Sequence, residues 1–324
     1  MVVIVVLITS CNDDDFDREV VIPQFNFPTT IVFEDSLSAY NIFEESQANL
    51  IPSDGFELIE LSSVLFTDYS QKQRLVKVPN GTQLIRNNDG TINFPNGTIL
   101  TKTFYYLNDE QDENLGKRII ETRLLIKEDD LWNAATYVWN EEQSDAILEL
   151  NGLETEVSWV NSNGENLSTL YQVPTKNECA TCHQSNSLMT PLGTKLRNIN
   201  RLVERNGTTL NQITHLQSVG IFNSFSLNNV PSIENYTNTN SSLIDRARAY
   251  LDMNCAHCHN PNAWEEPAMQ DLDLRYELSL NQTGISDESE DIIEFVTEGE
   301  MPFIGTTILD DEGVNLIVEF IESL

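Results

Sequence analysis

The chain has 324 residues, 40% of them hydrophobic, with 4 Trp, 9 Tyr and 14 Phe. That is enough apolar and aromatic surface to offset chain entropy and to bury more than one core. Its 51 acidic against 18 basic residues leave a net charge of −33, which excludes nucleic acid as a partner, because phosphate contacts need a basic surface, and points to basic partners.

Met1 to Ile8 is an apolar run too short to span a bilayer, and it stops at Thr9-Ser10-Cys11. A short apolar segment ending in small residues reads as an export signal. A cysteine at its end resembles the acylated first residue of a bacterial lipoprotein, so residues 1–11 are expected to be a lipoprotein signal with Cys11 as the lipidated position. The basic residues that usually open such a signal are missing. Residues 12–22, with Asp13-Asp14-Asp15, read as an acidic tether, and similar runs follow the lipidated cysteine in surface lipoproteins of Bacteroidetes. The body of the chain is then outside the cytoplasm, anchored to the outer membrane on its periplasmic or cell-surface face.

Residues 23–172 read as a β-rich domain. The turn signals Pro79-Asn80-Gly81, Asn88-Asp89-Gly90 and Pro95-Asn96-Gly97 punctuate short alternating stretches. Between Ile120 and Lys127, Ile120, Thr122, Leu124 and Ile126 share one face while Glu121, Arg123 and Lys127 share the other, the period of a half-buried strand. Ile99 to Tyr106 and Thr136 to Trp139 read likewise. Strands at this spacing predict an all-β unit, an antiparallel sandwich or a partial barrel.

Beyond Pro174 the apolar spacing becomes helical, which predicts mainly α regions over residues 173–235 and 236–324. Leu192 to Glu204 and Leu210 to Val219 are predicted helices, with Asn206-Gly207 as the stop between them. Asn223 to Asn240 reads as a linker rich in Asn, Ser and Thr. Ser242 caps a helix that runs to about Met253, and a last helix spans Asp311 to Ser323.

Two motifs carry the chemistry: Cys179-Ala180-Thr181-Cys182-His183 and Cys255-Ala256-His257-Cys258-His259. Two thiols one helical turn apart can reach both vinyl groups of a porphyrin, and the His next in sequence can enter the iron, so each motif predicts one covalently bound haem c. The rival is a zinc thiolate site. Against it, the chain has only 4 His, yet one follows each pair, and the pairs lie far apart for the common zinc spacing. With Cys11 lipidated and Cys179, Cys182, Cys255 and Cys258 in thioethers, all 5 cysteines are assigned.

His183 and His259 are then the proximal iron ligands. Met301, in Gly299-Glu300-Met301-Pro302 before the last helix, is the candidate distal ligand of the second haem. For the first haem the candidate is His215, with Met189 as the alternative. From Lys176 to Tyr250 there are 7 basic and 4 acidic residues, whereas beyond Trp264 only Arg275 is basic among 17 acidic ones. Lys195, Arg197 and Arg201 are therefore expected to neutralise the first haem's propionates, and the acidic end to attract a redox partner with a basic docking face.

These residues resemble a family of di-haem c-type cytochromes of Gram-negative bacteria, with a β-rich front half and two haem units behind. The segments that carry the resemblance are Leu65 to Lys72, Phe94 to Thr98, Glu121 to Leu125, Tyr137 to Asn140, Pro191 to Gly193 and Ala247 to Leu251. The resemblance implies haem c binding and electron transfer. A di-haem peroxidase-like oxidoreductase with an open site at the first haem, and a surface binding module with auxiliary haems, are the alternatives.

Overall fold

The computed structural model describes residues 24–28, 31–88, 90–263 and 271–324. Cys11 and the acidic tether lie outside the described residues. The front half runs β1 (Glu57–Leu58), β2 (Gln71–Lys77), β3 (Ile85–Arg86), β4 (Ile92–Asn93), β5 (Ile99–Leu107), β6 (Lys117–Glu128), β7 (Leu131–Trp139), β8 (Ala146–Glu149), β9 (Leu153–Val160) and β10 (Asn166–Val173). Six of these form one antiparallel sheet in the order β1-β2-β5-β6-β7-β8. The turn chemistry fixes the register: Glu128 pairs with Leu131 across Asp129-Asp130, both at positive φ, as a two-residue hairpin turn requires.

Both faces of this sheet are covered. On one, Leu75, Ile119, Leu124, Ala135 and Tyr137 pack against Leu37, Ile42, Phe43, Leu50 and Phe56 of the preceding segment. On the other, the β9–β10 hairpin folds over one end through Val157, Trp159 and Tyr171, which meet Phe104 and Tyr106. Each such side chain, fully buried, contributes about 1.5–3 kcal/mol. The sequence alternation in β6 therefore separates two interiors rather than an inside from an outside. Glu121, expected on a solvated face, is fully buried, and Arg123 is largely so.

The chain does not become mainly α after Pro174, as predicted for residues 173–235. It continues as α1 (Lys176–His183), β11 (Gln184–Ser185), β12 (Leu188–Met189), α2 (Leu196–Ile199), β13 (Leu202–Arg205), β14 (Thr208–Asn211) and α3 (Gln212–Ser218). The helix predicted over Leu192 to Glu204 is reduced to α2. Asn206-Gly207, read as a helix stop, is the turn of the β13–β14 hairpin, with φ of 52° and 73°. An Asn-Gly pair favours such a turn because both residues tolerate positive φ.

Asn223 to Asn240 carries no helix or strand, as expected of a linker. Then come α4 (Leu243–Asn254), α5 (Ser289–Glu298) and α6 (Asp311–Glu322), joined by long loops. Ser242 caps α4 by accepting from Asp245 N at 3.2 Å. Ala247, Tyr250 and Leu251 of α4 pack on Leu316, Ile317 and Phe320 of α6. Gly313 permits the approach, since a Cβ there would stand 2.2 Å from the Tyr250 hydroxyl. Among the described residues no helix is long and apolar enough to cross a membrane.

Candidate functional site

The first motif is the body of α1. Thr175 starts the helix with a capping box, its hydroxyl accepting from Glu178 N at 3.2 Å while Glu178 accepts from Thr175 N at 2.6 Å. This fixes the helix start four residues before Cys179 and sets Cys179 and Cys182 one turn apart on one side. His183 ends the helix. Its Nδ1 lies 2.9 Å from Thr190 O, and because a carbonyl only accepts, Nδ1 holds the proton and Nε2 keeps its lone pair. Burial lowers the imidazole to about 4, so the ring is neutral at neutral pH, as a metal ligand must be.

His183 opens onto a cavity of two adjoining lobes, both open to solvent. Leu100, Lys102, Leu125 and His183 line both lobes. The sheet supplies one wall in two parallel rows. Strand register aligns Val76, Leu100, Leu125 and Ala134 as an apolar row, and Arg74, Lys102, Arg123, Thr136 and Glu149 as a charged row beside it. Met189 on β12 and Cys179 line one lobe, while Arg74 and Met253 line the other. Met253 reaches in from the end of α4, two residues before the second motif, and its sulfur accepts from Asn198 Nδ2 at 2.9 Å.

The charged row was legible in the sequence only as solvent-facing lysines and arginines. Arg123 is paired with Glu121, Nε donating to Oε2 at 2.8 Å, and Glu121 also accepts from the Tyr171 hydroxyl at 2.6 Å. Burial pushes Lys102 well down, with the Arg74 and Lys72 charges acting the same way. Burial also lowers Arg74 to about 10 and Lys72 to about 7. Lys72, Lys102 and Arg123 crowd the Phe104 ring, at 6.0, 4.6 and 4.4 Å from its centroid. A signal for this did exist: in a chain with only 18 basic residues, 8 fall on the three neighbouring strands β2, β5 and β6.

The second motif follows α4 directly. Amides of Cys258 and His259 return to Cys255 O at 3.0 and 2.9 Å, tightening the motif into a turn. Burial lowers His259 to about 4, with the His257 charge adding to it, and raises Cys255 to about 12. His257 Nδ1 and His259 Nδ1 are buried without a hydrogen-bond partner. Such orphaned buried nitrogens mark a place where a further group is wanted.

The fold brings the two motifs together. Ligand atoms of Cys182, His257 and Cys258 lie within 4.8 Å of one another, and Asn186 N donates to Asn262 O at 2.7 Å beside them. Cys258 donates to Cys182, and that bond together with burial raises the Cys258 thiol. Two sulfurs and an imidazole at this spacing are also a partial soft-metal donor set, one ligand short of a tetrahedral zinc site.

His215 is placed elsewhere. On α3 its Nε2 is 3.0 Å from Glu57 Oε2 of β1, and it does not line the cavity at His183, whereas Met189 does. Met301 lies in the loop after α5, where its amide closes the helix end on Phe295 O at 3.1 Å. Nor do the cations expected at the propionates reach the cavity. Arg197 donates to both oxygens of Asp252 at 2.7 and 2.9 Å, Lys195 shares Asp252 at 3.1 Å, and Arg201 bonds Leu61 O. They fasten α2 to α4 and to the front half.

The donor set fits haem at the first motif: paired thiols, a neutral imidazole with Nε2 free, an apolar row for a macrocycle and a cationic row for its carboxylates. Cys179, Cys182 and His183 would hold that group, and Cys255, Cys258 and His259 the second. Comparison of the chain with protein-family models, with curated proteins and with solved structures gives no match.

Proposed function

We propose that this chain is a di-haem c-type cytochrome that transfers electrons outside the cytoplasm. The observation that carries the reading is the meeting of two Cys-x-x-Cys-His motifs through Cys182, His257 and Cys258. Haem supplies reversible one-electron redox chemistry at iron when bound. The protein's own contribution is to hold each imidazole neutral, to set the His183 tautomer through Thr190, and to keep the two attachment sites edge to edge, so that an electron entering at one can leave at the other. The helical frame of α4, α5 and α6 is the cytochrome c-like part of this reading, with Met301 as the residue that would supply the second haem's distal ligand. Its acidic residues attract a donor or acceptor with a basic face, and lipidation of Cys11 holds the protein at the outer membrane.

The test is direct. Protein purified from a host able to mature c-type cytochromes, then denatured in alkaline pyridine, should give a spectrum of two haems per chain, and the intact mass should retain both. Bound zinc with no covalent haem would replace this reading with a thiolate metal site. A second reading, an enzyme with an open iron at the first motif, is favoured by the engagement of His215 with Glu57. One high-spin haem beside one low-spin haem in the resonance spectrum would select it, and two low-spin haems would select the carrier.

A further inference from the structure

The row Arg74, Lys102, Arg123 is a physical anomaly for a half-buried wall. Cross-strand neighbours on one face have Cβ atoms about 4.5–5.5 Å apart, and like charges placed directly opposite destabilise the sheet. Here Arg74 pairs with Lys102 on β5, and Lys102 pairs with Arg123 on β6, so three cations stand side by side. Glu121, one pleat along, is committed to Arg123 and to Tyr171. Among the described residues no ion pair holds Arg74 or Lys102. Glu149 closes the far end of the row, beyond Thr136. All three side chains line the cavity, Lys102 both lobes, Arg123 one and Arg74 the other.

Two partly buried basic groups side by side without a counter-charge are unfavourable as a charged pair, and an anion that completes the set favours both charges. The apolar row beside it carries no competing acceptor, and the opposite wall is the neutral His183 ring. We propose that Arg74, Lys102 and Arg123 form an oxyanion-binding wall that takes a carboxylate-sized anion in the cavity onto which His183 opens. Arg123 is oriented by Glu121, and Arg74 and Lys102 supply the free donors. The carboxylate has two chemical sources: a propionate arm of the haem attached through Cys179 and Cys182, which rests on the function proposed above, or a free planar anion entering through the mouths of the cavity, which does not.

The experiment uses the full-length protein, wild type and with Arg74→Gln, Lys102→Met, both together, and Arg74→Lys. Haem content is measured first, so that absence of haem is recorded separately from absence of anion binding. Melting curves are taken in formate against chloride at equal ionic strength. A free-anion site raises the wild-type melting temperature in formate, with affinity reduced roughly tenfold or more by each neutral variant and kept by Arg74→Lys. A propionate site gives no formate response, and instead the resonance Raman propionate bending bands of one haem shift in the neutral variants and return in Arg74→Lys. With either source, the neutral variants melt higher than wild type when the cavity holds no anion, because the like-charge row has been relieved. The proposal is overturned if formate leaves wild type unmoved and the propionate bands, where haem is present, are the same in all variants. Without haem, the formate result alone decides.

Discussion

The two motifs have nearly the same five residues, yet the fold houses them differently. Cys179 to His183 sits on a short helix against a sheet whose facing rows are apolar and cationic. Cys255 to His259 sits at the end of a longer helix, in a frame of α5 and α6 with a strongly acidic sequence. The difference teaches that a motif specifies an attachment chemistry and leaves its surroundings to supply charge, access and the opposite ligand. A cationic, cavity-lining environment holds anions and raises an iron potential, whereas an acidic surface attracts a basic partner.

The largest expected effect separates the motifs outright. Replacing Cys179 and Cys182 by Ala, or Cys255 and Cys258 by Ala, should each remove one of two covalent haems, halving the pyridine absorbance per chain. If the first motif houses the reactive iron, only the first pair of replacements abolishes whichever spectral form responds to added ligands. Loss of both haems from either variant would show that the sites are not independent.

Next in size is the buried pair that supports the wall. Glu121→Ala leaves Arg123 buried without its counter-charge, which should cost about 3–5 kcal/mol, read by denaturant unfolding. Tyr171→Phe removes only one hydrogen bond to the same carboxylate, and should cost roughly 1.5–3 kcal/mol. Neither partner has a counterpart at the second motif, so haem content there should be unchanged.

The imidazoles give a pH test. Both His183 and His259 are lowered from the ordinary value to about 4. Between about pH 4 and the unfolded value near 6.5, the unfolded chain binds more protons than the folded one, so stability falls as pH falls through that window. In haem-free protein each imidazole contributes on the order of 3 kcal/mol to this loss. Haem-loaded protein, with both imidazoles on iron, should lack that slope, and calorimetry from pH 7 to 4 on the two forms compares them directly.

How much of this was open to sequence reasoning follows from range. The strands Ile99–Leu107 and Lys117–Glu128, the Ser242 cap and the last helix depend on local periodicity and capping, and all were readable. Glu121 and Arg123 were misread because alternation shows that a strand has two environments without saying that the polar one is enclosed. The cationic row needs the pairing of β2, β5 and β6, residues nearly fifty apart in sequence, and no short window contains it. The proximity of Cys182 to Cys258 has the same origin: it depends on where the fold carries α1 and the turn after α4, which spacing alone leaves open. Asn206-Gly207 failed for a different reason, since one dipeptide serves two kinds of turn.

The smallest expected effect concerns His215, and it decides how the first site is completed. If His215 only pairs with Glu57 across α3 and β1, the pair is partly exposed, with side chains 14% and 28% accessible. Such a contact is worth no more than about 1 kcal/mol. His215→Gln should then lower stability within that limit and leave the absorption and resonance spectra of both haems unchanged. If instead His215 swings from Glu57 to the iron when haem is attached, the same substitution converts one low-spin haem to high spin, an effect far larger than the stability change. Met189→Ala is the complementary variant, because Met189 already lines the lobe that holds Cys179 and His183. A spectral change in Met189→Ala with none in His215→Gln would assign the opposite face of the first haem to the thioether and keep the first site, like the second, within the carrier reading.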